Sequence, residues 1–310
     1  MSGGAPGRVL HVLTGCTAVG KTEWAMRWAE ANSAEIISCD SLLFYRGMDV
    51  GTAKPTAAER DRVPHHLIDI RDVNEPMNVA LYASMAREAA EDIAARGRAV
   101  LVAGGSGFYL KSFFAPIADA VDVPVGIRAQ VAAAQESGGL AGLVGELSRL
   151  NPGGIEGLDT ANPRRVAAAL GRCLASGLTL AELSSQFAQA LPPFPGWQVR
   201  LVRLERSGPD LEARIAARVD AMLRLGLVDE VLRLLRAGLR SNPSAARAIG
   251  YRETIEVLDG RAPMEGLAAS IAKDTRALVK KQRTWFRTQL PDHRVVDAAT
   301  PGHGAALFLG

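Results

Sequence analysis

The stretch GCTAVGKT at residues 15–22 decides the fold, because it fits the phosphate-binding pattern G-x-x-x-x-G-K-T. An apolar run of strand length, residues 9–14, precedes it, and a segment of helical composition, residues 23–31, follows it. A strand, this loop and a helix direct several backbone N–H groups and a helix N-terminus at one anion. We therefore predict an α/β protein with a P-loop NTPase-like parallel sheet flanked by helices.

The same pattern predicts which groups hold the anion. Lys21 reaches the outer phosphates, and the Thr22 hydroxyl holds Mg²⁺, which is the one cofactor that the sequence predicts. The remaining members of the predicted phosphate seat are Gly15, Cys16, Thr17, Ala18, Val19 and Gly20. Because ATP-binding proteins share the motif, nucleotide binding is also predicted.

The composition is that of an ordinary globular protein: 310 residues, 48% hydrophobic and 22% charged, with a net charge of +3. Cys16, Cys39 and Cys173 lie far apart and form no CxxC pair, which favours a reducing compartment and argues against zinc. The sequence shows neither a signal peptide nor an apolar run of membrane-spanning length. We predict a cytoplasmic protein with no membrane partner, and nothing in the sequence suggests more than a monomer.

Two further apolar runs end in polar residues at the predicted ligand edge of the sheet. Asp40 follows the run 34–39, where it serves as a general base or reaches the metal through water, unless it caps a turn. The run 98–103 ends in Gly-Gly-Ser instead of the acidic residue found in most P-loop ATPases, which argues against an ATPase. This ending predicts a close backbone approach to a ligand with Ser106 as donor, or else a plain βα turn.

Strand-like runs vanish between residues 112 and 196, where Ala, Leu and Gly dominate and Pro recurs. We predict a helical insertion domain there, set into a catalytic core of residues 1–111 and 197–310. The notable cations of the insertion are Arg128, Arg164 and Arg165. Taken alone, these arginines are more typical of a solvated surface than of a site.

Two later segments predict helices that carry basic residues. On the amphipathic segment 210–225, Arg214 and Arg218 stand one turn apart and would clamp a diphosphate that lay beside them. The segment 273–287 predicts a helix with a basic stripe, which fits either a nucleic-acid backbone or a solvated face. The stripe consists of Arg276, Lys280, Arg283 and Arg287.

The ordered motifs of the chain resemble those of bacterial tRNA dimethylallyltransferases, the tRNA isopentenyltransferase family, over about residues 9–290. The segment DSLLFYRGMDVGTAKP at 40–55, placed after a phosphate-binding loop, is highly specific. The other matching segments are GCTAVGKT at 15–22, PHHLIDI at 64–70, GGSGFYL at 104–110, NPRRV at 162–166, GLVDEV at 226–231, AIGYRE at 248–253 and TRALVKKQRTWFR at 275–287.

The resemblance implies an enzyme that transfers a dimethylallyl group from dimethylallyl diphosphate to N6 of adenosine 37, in the anticodon loop of tRNA, and releases diphosphate. It implies that Asp40 takes the N6 proton and that Arg218, or else Arg214, stabilises the departing diphosphate. The implied catalytic residues are Asp40, Thr22, Lys21 and Arg218. The implied tRNA contacts are Asp40, Ser41, Leu42, Leu43, Ser106, Arg128, Arg164 and Arg165.

The chain departs from the family pattern at four positions. Cys16 stands where proline is usual, and Ser106 replaces a common threonine but keeps the hydroxyl. Ala168 and Gly171 replace an arginine and a glutamate, which removes two expected polar contacts with tRNA. Three rival interpretations remain: an isopentenyltransferase that acts on free adenine nucleotides, a small-molecule P-loop kinase, and a tRNA-binding protein without activity.

Overall fold

The computed structural model describes residues 8–116, 121–189, 193–300 and 306–308. The strands of its six-stranded sheet are β1 (Arg8–Gly15), β2 (Ala34–Ser38), β3 (His65–His66), β4 (Ala99–Ala103), β5 (Trp197–Glu205) and β6 (Arg294–Asp297). The order across the sheet is β3-β2-β4-β1-β5-β6, and each neighbouring pair is parallel. This arrangement confirms the predicted parallel sheet, although the short edge strands β3 and β6 were not predicted.

Helices occupy most of the remaining described chain. They are α1 (Lys21–Ala31), α2 (Ala57–Arg62), α3 (Val79–Ala95), α4 (Gly107–Lys111), α5 (Val125–Leu150), α6 (Pro163–Ser176), α7 (Leu180–Gln189), α8 (Gly208–Arg224), α9 (Leu227–Arg236), α10 (Pro243–Ala246), α11 (Tyr251–Leu258) and α12 (Leu267–Gln289). Of these, α1, α3 and α12 pack against strands of the sheet. The helices predicted over 23–31, 210–225 and 273–287 all form.

The strand β1 lies in the middle of the sheet, between β4 and β5. Its residues Leu10, Val12 and Leu13 are fully buried. A parallel strand covered on both faces reads as a nearly continuous apolar run, which is the pattern of residues 9–14.

The parallel arrangement brings the ends of four strands together at one edge of the sheet. The 15–22 loop follows β1, and Asp40 comes two residues after β2. Residues 104–106 follow β4, and Arg206 directly follows β5. Ligands of open α/β sheets bind outside these carboxyl ends, so the strand order itself assembles the candidate site.

An apolar cluster anchors the segment 42–55 to the helices that follow β5. Tyr45 and Met48 of that segment pack in one cluster with Val219 of α8, Val231 of α9 and Tyr251 of α11. This packing gives the long motif at 40–55 a fixed place in the fold, although most of it forms neither helix nor strand.

The chain divides into two compact units, one of residues 1–114 and 193–310 and one of residues 115–192. The prediction placed these bounds at 112 and 196. The second unit contains α5, α6 and α7, and α5 is broken at Gly139, which has a φ of 59°. Its own core includes Leu143, Leu147, Val166 and Leu170, all fully buried.

Within the described residues, no single helix is both long and apolar enough to cross a membrane. The bent pair Pro163–Ser176 and Leu180–Gln189 meets the length and hydropathy requirement jointly, with an angle of 83° between its helices. Cys16, Cys39 and Cys173 are buried and free of disulfides.

Candidate active site

The 15–22 loop presents backbone N–H groups at the start of α1. Gly20 precedes the helix with a φ of 106°, a conformation that favours glycine. In the part of the chain that the structure describes, the N–H groups of Ala18, Gly20, Lys21 and Thr22 have no hydrogen-bond acceptor. Several unpaired N–H groups at a helix N-terminus form an anion-binding surface.

The remaining groups of the loop are engaged within the protein. The N–H of Val19 donates to the carbonyl of Cys16 at 3.4 Å. The N–H of Thr17, a member of the predicted seat, donates to Oε1 of Gln282 at 2.9 Å. The free donors are therefore concentrated in the second half of the loop.

Lys21 extends back over the loop that it terminates. Its Nζ donates to the carbonyls of Gly15 at 3.0 Å and Cys16 at 2.9 Å. Burial lowers the pKa of Lys21 to about 8, whereas the nearby Asp40 carboxylate acts in the opposite direction. At pH 7 about nine-tenths of the ammonium groups therefore remain charged.

Asp40 stands among the cations of the site. Its Oδ1 accepts a hydrogen bond from the N–H of Leu42 at 3.0 Å, so it also closes the turn that the alternative interpretation expected. Its charge acts on both Lys21 and Arg218. Burial lowers the pKa of Arg218, and the Asp40 carboxylate opposes this shift.

Three arginines hold the carbonyls around the loop. Arg214 donates from Nε to the carbonyl of Ala18 at 2.8 Å, and Arg206 donates from Nε to the carbonyl of Val19 at 3.1 Å. Arg218 donates to the carbonyl of Thr52 at 2.9 Å. Because carbonyls of the loop turn towards these arginines, the N–H groups on the opposite side of the same peptides turn away from them.

The predicted residues of the core share one open cleft of about 1260 Å³. It is lined by Thr17, Ala18, Gly20, Lys21, Thr22, Asp40, Ser41, Leu42, Leu43, Ser106, Arg214 and Arg218. Gly15, Cys16 and Val19 lie beneath this surface as buried parts of the loop. Arg128, Arg164 and Arg165 belong to the second unit, where they are exposed.

Several residues that shape the site were not predicted from the sequence. Arg206 carries no motif, and its position after β5 becomes informative only once β5 is known to neighbour β1. Gln282 was passed over as part of a basic helix, although it contacts both the 15–22 loop and residue 105.

A third missed residue, Glu230, supports the segment that carries Thr52. Its buried carboxylate accepts from the N–H groups of Asp49 at 3.0 Å, Val50 at 2.7 Å and Gly51 at 3.1 Å. The hydroxyl of Tyr251 donates to the same carboxylate at 2.7 Å. A charged residue in an apolar helix pattern, as Glu230 is in α9, was the signal that could have identified it.

Two glycines of the Gly-Gly-Ser-Gly segment lie close to other parts of the protein, where a larger side chain would clash. A Cβ on Gly104 would lie 1.9 Å from the carbonyl oxygen of Cys39, and a Cβ on Gly107 would lie 2.6 Å from the Trp285 ring. The hydroxyl of Ser106 has no hydrogen-bond partner in the described residues. At these two glycines, a close approach is made by Cys39, which follows β2, and by Trp285 of α12.

The basic stripe of α12 is partly engaged. Arg276 pairs with Glu212 at 3.5 Å, and Arg283 donates to the carbonyl of Arg206 at 2.9 Å. Lys280 and Arg287 are exposed, as is Lys281 beside them. Among the residues that the structure describes, these three cations have no ion-pair partner.

The site fits Mg²⁺ only as an ion shared with a bound phosphate. Thr22 is exposed at the start of α1, and its hydroxyl has no partner in the described part of the chain. The same part contains no group of three or more His, Cys, Asp or Glu side chains suited to a metal. Mg²⁺ is commonly held by one or two protein oxygens together with substrate phosphates and water, which matches this sparse donor set.

Comparison with known proteins assigns the chain that forms this cleft to a family. The model of the IPP transferase family matches residues 43–289. A tRNA dimethylallyltransferase from Opitutus terrae is 66% identical over 299 residues, which cover 96% of each chain. The chain belongs to the IPP transferase family.

Two further proteins support the same assignment, and a third shares the fold. A tRNA dimethylallyltransferase from Roseiflexus sp. is 38% identical over 91% of each chain. The crystal structure of the full-length tRNA isopentenylpyrophosphate transferase from Bacillus halodurans is 33% identical, with a TM-score of 0.66 over 94% of this chain and 90% of that one. A eukaryotic dimethylallyltransferase acting on tRNA is 23% identical, with a TM-score of 0.78 over 94% of this chain and 74% of that one, and shows the fold.

Proposed function

We propose that this IPP transferase moves a dimethylallyl group from dimethylallyl diphosphate to N6 of adenosine 37 in the anticodon loop of tRNA. The observation that carries the proposal is the assembly of Lys21, Arg218 and Asp40 in one cleft beside the free N–H groups of the 15–22 loop. This arrangement places the carboxylate of Asp40 in the same cleft as the diphosphate seat. The names of the relatives support the dimethylallyl group and tRNA.

The reaction forms a bond between N6 of the adenine and the first allylic carbon, and it breaks the bond between that carbon and the diphosphate oxygen. The electron pair of the broken bond leaves with the diphosphate. The N–H groups of Ala18, Gly20, Lys21 and Thr22 and the charges of Lys21 and Arg218 stabilise the growing negative charge.

The proton on N6 goes to the carboxylate of Asp40. Oδ1 of Asp40 is fixed by the N–H of Leu42, so the carboxylate has one defined orientation at the end of β2. Ser106 lines the same cleft with an unpartnered hydroxyl, which suits a contact to the nucleotide. The adenine has to leave its stack to reach the carboxylate, which costs less in a single-stranded loop than in a duplex.

Mg²⁺ is part of the proposal as a counter-ion of the diphosphate, with the Thr22 hydroxyl as its protein ligand. A single chain supplies every residue of the core site, which is consistent with a monomer. The exposed cations of α12 and of the second unit would contact tRNA phosphates.

A transfer assay tests the proposal. The protein is incubated with dimethylallyl diphosphate labelled in its allyl group, Mg²⁺, and either unmodified tRNA or AMP. We expect label in tRNA at adenosine 37 and none in AMP. Label in AMP alone would replace the proposal with the nucleotide-specific rival, and label in neither would contradict the transferase activity.

A further inference from the structure

The side chain of Gln282, in the C-terminal half of α12, connects two loops of the cleft. Its Oε1 accepts from the N–H of Thr17 at 2.9 Å, and its Nε2 donates to the carbonyl of Gly105 at 3.0 Å. Both hydrogen bonds span large sequence separations, so they exist only in the folded site. The proposed reaction assigns no role to this carboxamide.

The carboxamide also lies close to the lysine that binds phosphate. A Cβ on Gly105 would lie 3.2 Å from Nε2 of Gln282 and 3.3 Å from Nζ of Lys21. Gln282 and Lys21 therefore flank the same point of the loop after β4. Gln282 contacts the loop at Thr17, whereas the free N–H groups begin at Ala18 and lie mostly in the second half of the loop.

This placement affects how long a phosphate chain the loop can hold. In loops of the G-x-x-x-x-G-K-T type, backbone N–H groups hold the inner phosphates and the lysine reaches the outer two of three. A third phosphate shares the lysine with the second phosphate and adds negative charge that needs further donors. Here the N–H of Thr17 already donates to Gln282, so the partially negative Oε1 of Gln282 stands where a phosphate oxygen would otherwise bind that N–H.

We infer that Gln282 is a specificity-determining residue that restricts the 15–22 loop to a diphosphate and disfavours a triphosphate chain. The inference rests on the proposed function for the presence of a diphosphate at the loop, and it adds which phosphate chain length is accepted. It also gives a physical reason why a nucleoside triphosphate would be a poor ligand of a loop whose motif is shared with ATP-binding proteins.

Binding of two inorganic probes tests the inference. The dissociation constants of pyrophosphate and tripolyphosphate are measured by calorimetry at a fixed excess of Mg²⁺, and their ratio is compared between variants. Use of the ratio cancels any general loss of phosphate affinity. The variants are wild type, Gln282→Ala, Gln282→Met and the control Gln289→Ala, whose side chain is exposed at the end of the same helix.

We expect Gln282→Ala to shift the ratio towards tripolyphosphate by about tenfold. The variant frees the N–H of Thr17, which can then donate to a charged phosphate oxygen. Gln282→Met should shift it in the same direction, because it frees the same N–H while retaining side-chain volume, and Gln289→Ala should leave it unchanged. Thermal unfolding shows which variants are folded, and Gln282→Met decides the outcome if Gln282→Ala does not fold.

The possible failures are distinguishable. If the wild-type protein binds pyrophosphate and the ratio is the same in the folded Gln282 variants, the inference is wrong and the proposed function stands. If the wild-type protein binds neither probe, the diphosphate seat of the proposed function is itself wrong.

Discussion

Asp40 is the residue on which the proposed proton transfer depends. Replacing it with Asn keeps an oxygen for the N–H of Leu42, and therefore the turn, but removes the base. We expect the single-turnover rate of dimethylallyl transfer to fall by a factor of about 10² to 10⁴, while tRNA affinity changes little. The exposed Asp61 provides the matched control, Asp61→Asn. An unchanged rate for Asp40→Asn would remove Asp40 from the chemistry.

Lys21 gives the site a pH dependence. Because burial lowers its pKa to about 8, the free protein loses the ammonium charge as the pH rises through that value. Affinity for a diphosphate requires the charged form, so it is highest well below pH 8 and is lost as the pH rises through that value. The Lys21→Arg variant keeps its charge at high pH, so any pH dependence of its affinity reports the ionisation of the ligand alone. Equal decline of pyrophosphate affinity in both proteins between pH 7 and 10 would contradict this role of Lys21.

At the residue scale, the sequence could predict side chains that carry a motif and could not predict those that act across long separations. Lys21, Asp40 and Arg218 were predicted, and the structure brings them together in one cleft. Gln282 and Arg206 contact the 15–22 loop from 265 and 187 residues away. Neither contact leaves a local pattern, since each depends on which strand or helix lies beside β1.

Among the elements, the segment 49–52 is held in place by α9. Glu230→Ala would leave three backbone N–H groups and the hydroxyl of Tyr251 without their shared acceptor in a buried site. We expect the free energy of unfolding to fall by about 3 to 5 kcal/mol in urea titrations.

The effect of Glu230 should be far larger than that of an ordinary acidic residue. The exposed Glu91 on α3 offers a matched control, and Glu91→Ala should change stability by less than about 0.5 kcal/mol. Similar stability losses in both variants would show that the hydrogen bonds to Glu230 contribute little.

The helix α12 combines a structural and a binding role. Its buried side packs in the core through Val279 and Phe286, while Lys280 and Arg287 remain exposed. If both cations contact phosphates, replacing them together with Ala should reduce the slope of log affinity for tRNA against log salt by about 1.5.

A second double variant shows whether loss of any two exposed cations changes the salt dependence of tRNA binding. Arg236→Ala combined with Arg261→Ala removes two exposed cations from other parts of the core unit. This pair should leave the salt dependence of tRNA binding as in the wild type. Equal slopes of log affinity against log salt for the wild type and the α12 variant would show that Lys280 and Arg287 are solvated surface residues that do not contact tRNA.

Elements were predictable where their patterns were strong and continuous. The buried run of β1 and the amphipathic α8 formed as predicted. The short strand β3 has two residues, and β6 has four residues of which one is buried, so neither carries a readable period. The Gly-Gly-Ser-Gly segment did not reveal its packing role, because a glycine required by close packing looks the same in sequence as one required by a ligand.

The whole molecule shows why the chemistry of the loop cannot be read from the loop alone. Strand order places the carboxyl ends of β1, β2, β4 and β5 at one edge, where the 15–22 loop and the Asp40 carboxylate line one cleft. The phosphate-binding motif is shared with kinases and ATPases, and kinases also use a carboxylate as a base, so the loop and Asp40 alone do not choose between attack at phosphorus and attack at carbon. Family membership, shown by the model over residues 43–289 and by a relative that is 66% identical over 96% of the chain, decides for transfer of the allyl group.

The central claim is that the diphosphate held by the 15–22 loop leaves intact while the allyl group moves to tRNA. The most direct measurement uses dimethylallyl diphosphate with ¹⁴C in the allyl group and ³²P in the diphosphate. We predict that ¹⁴C appears in tRNA in equal amount to the ³²P released as pyrophosphate, with no ³²P in tRNA. Transfer of ³²P to tRNA, or its release as single phosphate without ¹⁴C transfer, would contradict the account.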